Sequence, residues 1–182
     1  MENLKILGGL AVFCTLLLFT ACGPQLSPFT QSLYEQNNWS DTELKRIQFY
    51  LSEAVTLRRQ KTDADSRIEG GKIRMQQGRE IEEIIIPRGT PGVLSYLPRE
   101  DRFAISFEEG KSNRTLVFGP DSRNNNRYVL KVIKWNDQRG LVRYDDENFY
   151  IHRSDAVAAL MVDLKKIRRT QVKKEVAKGN RL

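Results

Sequence analysis

The chain has 182 residues, 40% of them hydrophobic and 29% charged, and carries a formal net charge of +7. That length suits one domain, and the composition is that of a soluble globular fold rather than a disordered chain. A single histidine and two cysteines exclude multi-histidine and cysteine-rich metal sites.

Met1 to Thr20 differs from the rest. Its only charges are Glu2 and Lys5, and Ile6 to Phe19 is an apolar run of about 14 residues, against roughly 20 for a bilayer-spanning helix. A short charged start, an apolar middle and a small-residue end describe a secretory signal peptide. A single membrane-spanning anchor is the alternative. Leu18-Phe19-Thr20-Ala21-Cys22 resembles the lipobox of bacterial lipoproteins, with Phe19 where Leu, Val or Ile is more common. The resemblance implies that residues 1–21 are cut away and that a lipid is attached to the Cys22 thiol. Gly23 after the cysteine, rather than Asp, implies sorting to the outer membrane. Cleavage there removes Cys14 and leaves Cys22 without a disulfide partner in its own chain. A catalytic thiol needs a neighbouring base and a pocket, whereas Cys22 would stand at a new terminus beside Gly23 and Pro24.

Residues 22–38 read as a tether. Its first part, Gly23 to Ser32, is rich in Pro, Ser and Thr, and ten extended residues reach at most about 35 Å. A single globular domain is expected over residues 39–167. Ser40-Asp41-Thr42-Glu43 is an S-x-x-E capping box, with Trp39 and Leu44 at the staple positions. Leu44, Ile47, Leu51 and Val55 recur at helical spacing, which predicts a helix over 41–58. Lys61 to Ser66 is a polar loop. Over 67–152 the pattern becomes short apolar runs between turn residues, including the alternation Phe103, Ile105, Phe107 and the run Tyr128 to Trp135. Asp145-Asp146-Glu147-Asn148 reads as a hairpin turn between two of them. Ser154 is placed to cap a last helix over 155–167, with Val157, Leu160, Met161, Leu164 and Ile167 as its stripe. The fold class expected is α+β: a small, mostly antiparallel β-barrel, SH3-like or a sandwich, flanked by an N-terminal and a C-terminal helix.

The charge is not spread evenly. Lys165 to Leu182 holds eight basic residues and one acid, while the rest of the chain carries 22 of each sign. The basic extension at 168–182 therefore reads as a solvated tail, as a contact for anionic lipid or an acidic envelope polymer, or as a nucleic-acid site. The last suits a secreted, lipid-anchored protein poorly, so no nucleic-acid partner is expected. Lys165, Lys166, Arg168, Arg169, Lys173 and Lys174 are candidate binding residues. Arg123 and Arg127 join them, from the Asx-rich stretch Asp121 to Arg127; an exposed Tyr96, Tyr128 or Trp135 beside them would suit a glycan or peptide contact.

Chemistry is harder to find. His152 stands alone, and no G-x-S-x-G elbow accompanies it. Asp101, Glu108, Glu109, Asp145, Asp146 and Glu147 lie in polar runs better explained as solvated turns than as acid–base pairs. Ile86-Pro87-Arg88-Gly89-Thr90-Pro91-Gly92 lacks the Lys-Ser/Thr of a phosphate loop and resembles the G-T-x-G-type turn of bacterial SH3-like barrels. That resemblance implies a module binding peptides or cell-wall ligands. The expectation is a non-catalytic, lipid-anchored envelope protein, an accessory or scaffold subunit with an envelope protein partner. The alternatives are a peptidoglycan- or glycan-binding SH3-like module and an envelope hydrolase. No catalytic residue, metal or cofactor is assigned.

Overall fold

The computed structural model describes residues 25–61, 72–76 and 79–170. In chain order the elements are β1 (Leu26–Pro28), α1 (Gln31–Asn37), α2 (Asp41–Leu44), β2 (Phe49–Leu51), β3 (Val55–Gln60), β4 (Lys72–Gln76), β5 (Arg79–Ile86), β6 (Pro91–Arg99), β7 (Arg102–Ser106) and β8 (Thr115–Asp121). There follow β9 (Arg127–Leu130), β10 (Lys134–Asn136), β11 (Arg139–Tyr144), β12 (Glu147–His152), β13 (Leu160–Asp163) and α3 (Leu164–Thr170).

The strands form two antiparallel sheets. The larger runs β1-β13-β2-β6-β7-β8-β9, the smaller β10-β11-β12-β3-β5-β4. Neither closes into a barrel; the class is α+β with mostly antiparallel strands. The outer strands of the larger sheet are nonetheless tied together just beyond β1. The Tyr128 N–H donates to the Phe29 carbonyl at 3.0 Å, and the Gln31 N–H to the Asn126 carbonyl at 2.9 Å.

Both sheets contribute to one apolar cluster. At its centre four fully buried aromatics meet. Phe29 lies 5.3 Å from Phe49 and 5.0 Å from Tyr128, and Phe103 lies 4.7 Å from Tyr128, ring centre to ring centre. Aromatic pairs at such separations add to the gain from burial alone. The Tyr128 hydroxyl leaves the cluster and donates to Gln31 Oε1 at 2.7 Å, so its polar end is not stranded. A second aromatic pair, Tyr144 and Phe149, belongs to the smaller sheet, and the Arg59 guanidinium lies over Phe149 at 5.3 Å.

Three expected elements are corrected. The helix over 41–58 starts as read: Ser40 and Glu43 complete the capping box, and Trp39 and Leu44 are buried. It stops at Leu44, and the next residues form β2 and β3. Ile47, Phe49 and Leu51 are buried, as are Val55 and Leu57. These sets alternate with a period of two, and the helical stripe had to leave Phe49 out. The helix over 155–167 divides likewise. A 3₁₀ turn at Asp155–Val157 leaves Val157 exposed, β13 buries Leu160 and Val162, and α3 starts only at Leu164. Ser154 makes no side-chain cap bond to that 3₁₀ turn. The cap of α3 is Asp163, whose Oδ1 accepts the N–H of Lys165 at 2.9 Å and of Lys166 at 3.3 Å.

The tether over 22–38 is the third correction. From Leu26 onward it belongs to the fold: β1 pairs with β13, Phe29 is fully buried, and Thr30 caps α1 through the Leu33 N–H. A fully buried phenylalanine gains too much from leaving water to stay in a linker. By contrast a hairpin turn is present where one was expected, over Asp145 and Asp146 alone, with Glu147 and Asn148 already in β12. Asp145 and Asp146 take φ of 53° and 60° between β11 and β12, as a two-residue hairpin turn requires.

Candidate functional site

The described basic candidates fall at the two ends of one strand pair: Arg127 bridges to Thr30 just past β1, and Lys165 and Lys166 follow Asp163 at the end of β13. β1 and β13 run antiparallel with Leu26 opposite Asp163 and Pro28 opposite Met161. Beside this pair lies a groove of about 490 Å³ lined by Leu26, Pro28, Met161, Val157, Arg88 and Arg127. Its lining is mixed, with Ser52, Glu53 and Asn124 beside the apolar side chains. Arg88 and Arg127 are exposed at its margin, with Glu53 3.9 Å from Arg88. A second recess, of about 230 Å³, is lined by Trp39, Glu43, Arg46, Gln48, Asp163 and Lys166.

Local chemistry holds these residues in place. Arg127 opens β9 after the turn Ser122–Asn124. Asp121 caps that turn, accepting from the Arg123 N–H at 3.2 Å and from Asn124 Nδ2 at 2.6 Å. The Asn124 bond, then the Arg123 N–H, hold the Asp121 carboxyl below its ordinary pKa. Asn125 and Asn126 take φ of 52° and 53°, a region asparagine tolerates better than most residues. The Asx-rich stretch is therefore a built turn, with Arg123 and Arg127 exposed on it. Lys165 and Lys166 project from the first turn of α3 and are exposed. On the same helix Leu164 and Ile167 pack against the core. The backbone of Arg168 and Arg169 continues α3; their side chains, together with Lys173, Lys174 and Cys22, lie outside the described residues.

Arg88 is a residue that the sequence reading missed. It stands in the Pro87–Gly92 turn, singled out for its backbone, where Gly89 takes φ of 78°. The Gly89 N–H donates to the Leu51 carbonyl at 2.7 Å, which brings the turn against the end of β2. Leu26 and Pro28 were missed because they were assigned to the tether. Trp135 is distant from this groove in register: it pairs with Gly140 in the smaller sheet and carries Arg153 over its ring at 4.7 Å. Tyr128 is fully buried and offers no surface.

The groups that suggested catalysis are engaged in other ways. His152 Nδ1 lies 2.9 Å from Ser154 Oγ and accepts the Ser154 N–H at 3.3 Å. The Ser154 hydroxyl also meets Asp155 Oδ1 at 3.0 Å. In a Ser-His-Asp triad the carboxylate holds the histidine; here it holds the serine, and its other oxygen accepts the Thr56 N–H at 3.3 Å. Glu108 takes the Tyr144 hydroxyl at 2.5 Å and Arg114 Nη1 at 3.1 Å. Arg114 Nε donates to Asp145 at 2.7 Å. Burial pushes Glu108 up, but the Tyr144 hydrogen bond and the Arg114 and Lys111 charges outweigh it and hold the carboxyl below its ordinary value. A carboxylate held ionised in this way is a poor general acid.

Among the described residues no group of three or more His, Cys, Asp or Glu side chains is placed to hold a metal, and no helix is long and apolar enough to cross a membrane. The chain matches no protein-family model, no curated protein and no solved structure.

Proposed function

We propose that this chain is a lipid-anchored protein of a bacterial envelope, attached through Cys22 to the outer membrane and acting there as a non-catalytic accessory or scaffold subunit. The observation that carries the reading is the segment Leu18 to Cys22, joined to a fold whose first strand begins at Leu26. An attachment point immediately before a folded domain is what a lipoprotein needs. The engagement of Glu108, Asp145 and His152 in local braces supports an output through surfaces rather than reactions.

The test uses membranes solubilised in detergent. Affinity purification should recover stoichiometric envelope partners, and Cys22→Ser should move the protein to the soluble fraction. Recovery of the protein alone would remove the scaffold role. A Cys22→Ser chain held as firmly as the wild type would remove the lipid anchor and restore the uncut membrane helix.

A second reading, an SH3-like module binding peptidoglycan or glycan, is favoured by one observation: the Pro87–Gly92 turn borders the groove with Arg88, close to Asn124 and Arg127. Amide, guanidinium and apolar surface together suit a glycopeptide. Binding to purified sacculi that survives Arg88→Ala with Arg127→Ala would sink that version.

A further inference from the structure

The smaller sheet buries one face and turns the other to solvent. Val142, Tyr144, Phe149, Ile151 and Leu57 are buried on the inner face. Side chains alternate across a strand, so the residues between them share the outer face, and register fixes their pattern. Leu141 pairs with Tyr150, Lys134 of β10 with Leu141, and Tyr150 with Arg58 of β3. Arg139 and Arg143 stand two residues either side of Leu141 on β11, each about 7 Å along the strand. A half-buried leucine and an exposed tyrosine are therefore flanked on four sides by cations, all four of them exposed. Opposite charge is scarce here. Glu83 takes Arg58 at 2.7 Å and is itself mostly covered, while Asp146 comes no nearer to Arg143 than 3.9 Å. Arg139 and Lys134 have no ion pair among the described residues. Cations gathered in this way repel one another, and an anion laid across them relieves the repulsion.

We infer that this face binds an acidic polysaccharide, a run of uronate sugars, with a sugar ring on Tyr150 and carboxylates on Arg139, Arg143 and Lys134. The face of a tyrosine ring carries negative partial charge and accepts the C–H hydrogens of a sugar. A guanidinium fork meets a carboxylate through two parallel bonds. Asn148, two residues from Tyr150 and paired with Arg143, brings an amide that both donates to and accepts from hydroxyl groups. Area argues against a protein partner. From Lys134 to Arg58 is three strand spacings, about 14 Å, and Arg139 to Arg143 is about the same. That makes a patch of roughly 200 Å², where a stable interface takes about 800 Å² from each partner. The ring count argues against nucleic acid. Single-stranded chains stack successive bases on successive aromatics, and by register Tyr150 is the only Phe, Tyr or Trp on this face among the described residues. The lipid-anchor reading, on which this choice of glycan also rests, places the chain among envelope polymers.

The test titrates the full-length protein in detergent into a fluorescently labelled galacturonate hexamer and reads anisotropy, with maltohexaose and a deoxythymidine hexanucleotide as comparison ligands. Galacturonate should bind, and more weakly as salt rises. Arg139→Ala with Arg143→Ala should weaken binding by about tenfold or more, as loss of hydrogen bonds between charged groups does. Tyr150→Ala should weaken it by about threefold to tenfold, and Tyr150→Phe, which keeps the ring, should not. Arg88→Ala with Arg127→Ala, at the groove beside β1, should leave it unchanged. All these side chains are exposed, so urea midpoints should stay at the wild-type value. No binding of galacturonate overturns the inference, and so does equal binding of maltohexaose. Tighter binding of the hexanucleotide assigns the face to nucleic acid and overturns the glycan. A loss confined to the Arg88 and Arg127 variant moves the ligand to the groove and overturns this site. None of these readings depends on the anchor, which membrane fractionation of Cys22→Ser tests separately.

Discussion

Glu108 joins the two sheets. It follows β7 of the larger sheet, and its partner Tyr144 ends β11 of the smaller one. Arg114, just before β8, bridges Glu108 to Asp145 in the β11–β12 turn. The Tyr144 hydroxyl is driven well above its ordinary pKa, by burial first and by Glu108 second, so it stays a donor to the carboxylate. The direction of the pH effect follows. The Glu108 carboxyl is held below its unfolded value, so its contribution is complete above the ordinary carboxyl pKa, about 4.3. It is lost as pH falls through the lower, folded value. Glu108→Gln should cost about 1–3 kcal/mol at neutral pH and flatten the acid limb of stability. Urea midpoints measured from neutral to acid pH check both; a variant as acid-sensitive as the wild type would show that other groups govern that limb.

Strand β1 is three residues long, yet it is held at two levels. Its backbone pairs with β13, and Phe29 directly after it is fully buried against Trp39, Phe49, Phe103 and Tyr128. Phe29→Ala should destabilise the domain by about 3–5 kcal/mol. Amide exchange should rise first at Leu26 and Ser27, since Pro28 has no N–H. Unchanged exchange there would mean that the β13 ladder alone holds the strand. The same level of organisation explains what could be read beforehand. The Ser40–Glu43 box and the hairpin turn at Asp145 and Asp146 were legible because their signals act over three or four residues. The lengths of the two helices were not. Leu44, Ile47, Leu51 and Val55 fit a helical stripe, while Ile47, Phe49 and Leu51 also fit a strand. Sequence periodicity alone cannot separate such short apolar runs. Pairing of β2 with both β13 and β6 settles it.

Across the molecule, β13 lies between β1 and β2, and the Leu130 and Phe29 N–H groups donate to the Ala158 and Leu160 carbonyls, each at 2.9 Å. The N-terminal strand therefore has no partner on that side until nearly the whole chain exists. Pairings this far apart in sequence make folding slow, in the millisecond-to-second range of non-local β folds at roughly similar size. A chain ending at Ala159 should fail to unfold cooperatively, as judged by the loss of a sigmoidal near-ultraviolet transition in urea. A normal transition would show that the remaining strands fold without β13.

What the sequence determined by itself is local or compositional: the position of the charge excess, the lone histidine, the cysteine arithmetic, the capping box and the hairpin turn. Each depends on residues that are neighbours in the chain. Only the tertiary structure decided that Phe29 belongs to the core, that two predicted helices are broken by strands, that β1 pairs with β13, and that Arg88 and Arg127 share a groove. Those outcomes depend on which apolar faces bury one another across more than a hundred residues. The free energy of that burial outweighs local helical preference, and it brings β1 beside β13.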